Sequence, residues 1–280
     1  MLVAGRVMRG PSSTAADPLG YSQPQSRVSA PLRGSTPPRV VLQESSRRMP
    51  FFYFDPNYML AIMPAVLLAL WAQWRVHAAF SAASQEPAPL TGAAAARHIL
   101  DSAGATDVEI EAMPGQLTDH YDPRTKVLRL SENVYGSRSL AAVGIAAHEA
   151  GHALQDHQGF SLMAVRNAAV GVANIGSGFG LFVFMIGLAL TLKPVAWLGI
   201  ALFAATVFFQ LVNLPVEIDA SNRAKAQLVD LGIVPSGSMA AVNSVLNAAA
   251  WTYVAATLQS ILTLLYYASY LTGGSSDSDQ

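Results

Sequence analysis

Residues 56–74, 167–192, 194–216 and a part of 231–276 centred on 249–271 contain no charged side chain. A helix rises about 1.5 Å per residue and a bilayer core is about 30 Å thick, so roughly 20 apolar residues span it. The first stretch has only 19 residues, but it is rich in Leu, Met and Ala and ends in Trp71 and Trp74, which suit the membrane interface. Four transmembrane helices are therefore expected, and the fold class is a mainly α membrane protein with a small α+β domain. Burying the same helices in a soluble core is the alternative. Only 12% of residues are charged and 52% are hydrophobic, against about 25% charged in a typical globular chain. That is too little charge to cover such a core.

The same numbers exclude several functions. There is no cysteine, hence no disulfide framework, iron–sulfur cluster, thiolate zinc site or thiol nucleophile. The net charge of −1 gives no strong pull on nucleic acid, so no nucleic-acid partner is expected. No ionisable acid or base lies inside the four stretches, which disfavours a proton path, a zinc transporter or a zinc sensor.

Between the first and second stretches lies a polar segment with one demanding motif, His148-Glu149-Ala150-Gly151-His152. On a helix, residues four apart share a face, so His148 and His152 can reach one Zn2+ ion while Glu149 stands beside a water on that ion. Ser137 or Ser139 would cap this helix, which runs to about Asp156. Gly151 inside it costs about 1 kcal/mol relative to Ala, which points to close approach of another element. Upstream, Thr91 caps a helix of about 92–103 ending at Gly104, and residues 108–111 alternate as a strand. Residues 120–125 read as a turn into a second strand at 126–130, giving a short hairpin or sheet before the metal helix. His77, His98 and His157 lack partners at ligand spacing and read as surface residues.

A hydrolytic zinc site needs three protein ligands and one open position. Glu217 or Asp219, read as opening a helix of about 217–230 at the membrane surface, should supply the third. Two residues apart on a helix they point about 200° from each other, so only one can face the metal. Without a metal, either acid reads as a helix N-terminal charge favoured by the macrodipole. Two crossings, 167–192 and 194–216, separate His152 from Glu217 and return the chain to the same side. Gly176 and Gly180 in the first of these form a GxxxG pattern suited to close helix packing.

The expected organisation is a disordered tail or mis-assigned start at 1–48, a first span at 49–75, a cytosolic domain carrying the metal helix at 76–165 and a transmembrane hairpin at 166–216. A cytosolic helical segment at 217–248 carries the third ligand, the last span covers 249–271, and 272–280 is a disordered tail. Arg75, Arg97, Arg124, Lys126, Arg129, Arg138, Arg166, Arg223 and Lys225 all fall on the metal side, against Lys193 opposite. The metal site is therefore expected to face the cytoplasm. The seven arginines of residues 1–48 oppose that orientation, a reason to discount the tail.

Several long motifs carry a resemblance: FFYFDPNYML, LSENVYGSRSLAAVGIAAHEAGHALQ, NLPVEIDASNRA and WTYVAATLQSILTLLYY. Over roughly residues 49–271 the chain resembles the YugP-like group of membrane-embedded neutral zinc metallopeptidases, relatives of HtpX-type membrane proteases. The resemblance implies a multi-pass protein of a bacterial cell (inner) membrane, a cytosolic zincin-like site, and Zn2+ held by His148, His152 and Glu217. In the HtpX type an Asp follows the ligand Glu by four positions. Here that position is Ser221 and the nearby acid is Asp219, which can orient a ligand His or take the place of Glu217.

The function expected is zinc-dependent endopeptidase activity on a peptide or membrane-protein substrate at the bilayer. Glu149 acts as general base, and Arg223, Tyr121 and His120 are candidates to stabilise the oxyanion. The substrate could add to an edge of the 107–130 hairpin. The rival is a non-catalytic membrane scaffold with a structural zinc site, against which Glu149 counts, since a structural site needs no base.

Overall fold

A computed structural model describes residues 55–116 and 118–273. The expectations for residues 1–48 and for the tail beyond Gly273 lie outside them. In chain order the described elements are α1 (Pro56–Ser84), α2 (Gly92–Ser102), β1 (Glu109–Met113), β2 (His120–Asp122), β3 (Val127–Ser131) and α3 (Glu132–Tyr135). There follow α4 (Leu140–His157), α5 (Ser161–Ile175), a π turn (Gly176–Gly180), α6 (Leu181–Ala189), α7 (Lys193–Asp230) and α8 (Met239–Gly273). Four helical stretches among the described residues are long and apolar enough to cross a membrane: α1, the continuous α5–α6 run, α7 and α8. With one small sheet beside them, the architecture is that of a mainly α membrane protein.

The side chains of these helices are sorted for lipid rather than water. α1 turns Ala65, Ala72, Ala79 and Ala83 inward and leaves Leu60, Leu67 and Leu70 exposed, at 73%, 59% and 64%. Small residues inside let backbones approach, and large apolar residues outside need an apolar solvent. The GxxxG pattern packs as expected. A Cβ at Gly176 would lie 2.3 Å from the carbonyl oxygen of Leu202, and one at Gly180 2.8 Å from the nitrogen of Phe203.

The domain between α1 and α5 is built around α4, whose Leu140, Val143 and Leu154 share a core with Ile99 and Leu100 of α2, Leu128 and Leu130 of β3 and Leu228 of α7. Each such side chain contributes about 1.5–3 kcal/mol on burial. Thr91 caps α2 by accepting from Ala94 N at 3.2 Å, and Ser139 caps α4 by accepting from Ala142 N at 3.2 Å. Gly104 follows α2 with φ +77°, a conformation that favours glycine.

Two local expectations are corrected. Residues 120–122 form a strand and the turn falls at 123–126, where Asp122 accepts from Arg124 N and Thr125 Oγ1. The sheet order is β1-β3-β2, with β1 parallel and β2 antiparallel to β3. The hairpin is thus β2–β3, and β1 lies on the opposite edge of β3, because a tight turn joins only antiparallel strands and the parallel pairing of β1 is made with the next strand but one. Second, no helix opens at 217. α7 runs unbroken from Lys193 to Asp230 with Pro215 inside it. One proline removes a single ladder hydrogen bond, and helix-forming sequence on both sides outweighs that loss. Glu217 and Asp219 consequently have no helix N-terminus to occupy, and the macrodipole does not account for them.

Candidate metal centre

α4 and α7 touch where α4 has no side chain. A Cβ at Gly151 would lie 2.5 Å from the carbonyl oxygen of Ala220, so the glycine sets the separation of the two helices, with Glu217 one turn before that contact. Gly151→Ala is expected to cost about 1–3 kcal/mol through overpacking. The check is a lowered thermal midpoint in detergent, accompanied by weaker metal retention as the helices part.

At this crossing Glu217 is 4% exposed, and its Oε2 lies 3.3 Å from His148 Nε2 and 3.4 Å from His152 Nε2. One donor atom from each of the three residues lies within 4.8 Å of the others. The two imidazoles stand nearly perpendicular, their centroids 4.8 Å apart. Asp219 does not join this group. Its Oδ2 accepts from Gln155 Nε2 at 2.8 Å and from Arg223 Nε at 2.5 Å.

The hydrogen bonds of Gln155 fix the protonation of His152. Gln155 is wholly buried, and its Nε2 donates both to Val216 O and to Asp219 Oδ2, each at 2.8 Å. Those partners only accept, so the amide oxygen must be the atom facing His152 Nδ1 at 2.9 Å, and Nδ1 must donate. In neutral His152 the lone pair is therefore on Nε2, aimed at the Glu217 carboxylate. Two acceptors facing each other need a cation between them. Glu217 Oε2 is buried and makes no hydrogen bond, so the donor set fits a metal ion bound by two imidazoles and a carboxylate. A proton can partly fill the same gap. Burial alone would push the His152 pKa down, but the facing Glu217 carboxylate and the charge of Glu149 turn the net shift upward. On the other histidine, Ser221 Oγ lies 3.1 Å from His148 Nδ1.

Glu149, between the two histidines, lines an open cleft of about 160 Å3 together with His148, Asp119 and Tyr253. The three candidates for oxyanion stabilisation are engaged elsewhere. Arg223 binds Asp219 and Gln158 and lies over the ring of Phe160. Tyr121 donates to Asp156 at 2.8 Å, and both burial and that carboxylate raise its pKa. His120 is exposed beside Thr118 O. Tyr253 was not found in the sequence, because it sits in a long uncharged stretch with no local motif. Gln155 did leave a signal, three residues beyond His152 on the same helix face.

The model of the family described as "Putative neutral zinc metallopeptidase" matches residues 58–272. The chain belongs to this family. The neutral zinc metallopeptidase match takes in the second and third apolar stretches, all but the end residues of the first and last, and every residue of the His–His–Glu group. Among relatives, the chain is 43% identical over 219 residues to "Putative membrane protease YugP" of Bacillus subtilis (strain 168), covering 78% of this chain and 97% of that protein. No solved structure matches.

Proposed function

We propose that this protein is a zinc-dependent endopeptidase of the cell membrane that hydrolyses peptide bonds at the cytoplasmic face. His148, His152 and Glu217 hold the metal and Glu149 acts as general base. The observation that carries this reading is the unpartnered Glu217 Oε2 facing two histidine nitrogens beside a cleft lined by Glu149. Family membership and the name of the Bacillus relative support it.

Bound Zn2+ supplies Lewis acidity, which lowers the pKa of a water from 15.7 to about 7 and polarises the scissile carbonyl. Glu149 takes the proton released as water attacks, then returns it to the leaving amine. Gln155 holds His152 in the tautomer that keeps Nε2 free. Tyr253, in the same cleft, is the best situated hydroxyl to donate to the developing oxyanion. The cytoplasmic orientation rests on the nine basic residues that share a side with the histidines.

The test is elemental analysis of the detergent-purified full chain, with casein cleavage followed before and after phenanthroline treatment. Near-stoichiometric zinc and cleavage that is lost with the chelator and restored by added Zn2+ are expected. Cleavage indifferent to the chelator would overturn the reading, and zinc without cleavage would favour the scaffold. The role of Gln155 has its own measurement. Gln155→Leu should weaken zinc affinity about 10- to 100-fold in a chelator competition, the usual scale for losing a group that orients a ligand.

A further inference from the structure

Beyond its polar floor, the cleft beside Glu149 has apolar walls. Val76 and Phe80 come from the last turns of α1, Ile145 lies one turn before Glu149 on α4, and Val245, Leu246 and Ala249 come from the first turns of α8. Val76, Phe80, Ile145 and Ala249 are only partly buried, although Phe80, Val76 and Ile145 back onto a small core of Ala79, Ala83, Ala141, Val245 and Ala248. Apolar surface left open next to a polar reaction site gains free energy when an apolar group covers it.

We propose that these walls form a side-chain subsite, which takes one apolar residue of a polypeptide substrate next to the scissile bond. The proposal rests on the peptidase reading and adds the substrate class. Size supports a single occupant. The cleft volume is about 160 Å3, close to the roughly 150 Å3 apolar cavity that accepts one benzene. That suits one Leu- or Phe-sized side chain and leaves no room for a folded segment.

Charge argues the same way. The acidic lining residues are Glu149, already assigned to proton transfer, and Asp119. Asp119 is occupied: its Oδ1 accepts from Ser131 N at 2.8 Å and from Ser131 Oγ at 3.0 Å, and its Oδ2 lies 3.1 Å from the same hydroxyl. It ties the lead into β2 to the end of β3 and is not a free partner for Lys or Arg. Neither Lys nor Arg lines the cleft, so an acidic side chain finds no counter-charge from the chain's own residues.

The probe is a set of internally quenched peptides of Gly and Ser around one variable residue, tested on the zinc-loaded full chain in detergent, with cut sites read by mass spectrometry. Cleavage beside Leu or Phe should exceed cleavage beside Asp or Lys at least 10-fold in kcat/KM. Ala249→Leu, which narrows the cleft, should lower the Phe-to-Ala selectivity ratio at least fivefold. Phe80→Ala, which widens it, should raise the ratio of Phe to Leu. Binding of the same peptides to Glu149→Gln protein, followed by fluorescence anisotropy, should keep the order and shift with Ala249→Leu.

Cleavage with no side-chain preference, or a preference that neither variant changes, would overturn the subsite and leave the peptidase standing. Ordered binding without turnover by any peptide would overturn the peptidase and leave the apolar subsite standing. Binding that ignores the variable residue would overturn the subsite whatever the turnover.

Discussion

Glu149→Gln is expected to keep zinc at the wild-type level while casein cleavage falls roughly 100- to 10,000-fold, the scale of a lost general base. The substitution preserves size, and Glu149 is not one of the three residues whose donor atoms converge. Its carboxylate lines the cleft beside His148, where it can reach a water but adds no ligand. Retained zinc with lost cleavage separates proton transfer from metal binding. Retained zinc with unchanged cleavage would remove Glu149 from the mechanism, and lost zinc would mean that the carboxylate holds the metal.

The candidate site was legible in the sequence because its densest part is local. His148, Glu149 and His152 lie within one helical turn and a half, so helix periodicity alone puts the histidines together. The glycine at 151 announced a close neighbour, and that neighbour is Ala220 of α7. The four apolar stretches were equally plain, since composition over about 20 residues is all that a bilayer demands. What stayed hidden depends on contacts between distant segments. Whether β1 pairs with β3 parallel or antiparallel is not encoded in the alternation of either strand, and the pairing of 120–122 with β3 left only a turn-like signature. The continuation of α7 through Pro215 was missed because the two acids were read as opening a new helix at the membrane surface, whereas helix-forming sequence continues on both sides of the proline. The division of labour between Glu217 and Asp219 needed the packing of α4 on α7. Two acids two residues apart on one helix cannot both face the histidines, and spacing alone does not say which one does; only the family resemblance pointed to Glu217.

Substitution of each acid separately should expose that division. Glu217→Ala removes the carboxylate that faces both Nε2 atoms at 3.3 and 3.4 Å, leaving two imidazoles to hold the ion. Zinc should then be lost on dialysis, and with it the thermal stabilisation that zinc confers on the wild type. That stabilisation is about 4 kcal/mol at a free concentration 1,000 times Kd. Asp219→Ala touches the site only through Gln155, whose amide would keep Val216 O and lose one of its two acceptors. His152 keeps its partner, so zinc should remain bound through dialysis with affinity lowered no more than about 10- to 100-fold. The zinc-induced rise in thermal midpoint, measured on both variants and the wild type, distinguishes the two acids in one experiment. Loss of that rise in Asp219→Ala and its retention in Glu217→Ala would transfer the third ligand to Asp219, and would require α7 to turn about its axis so that Asp219, rather than Glu217, met the lone pair that Gln155 directs from His152.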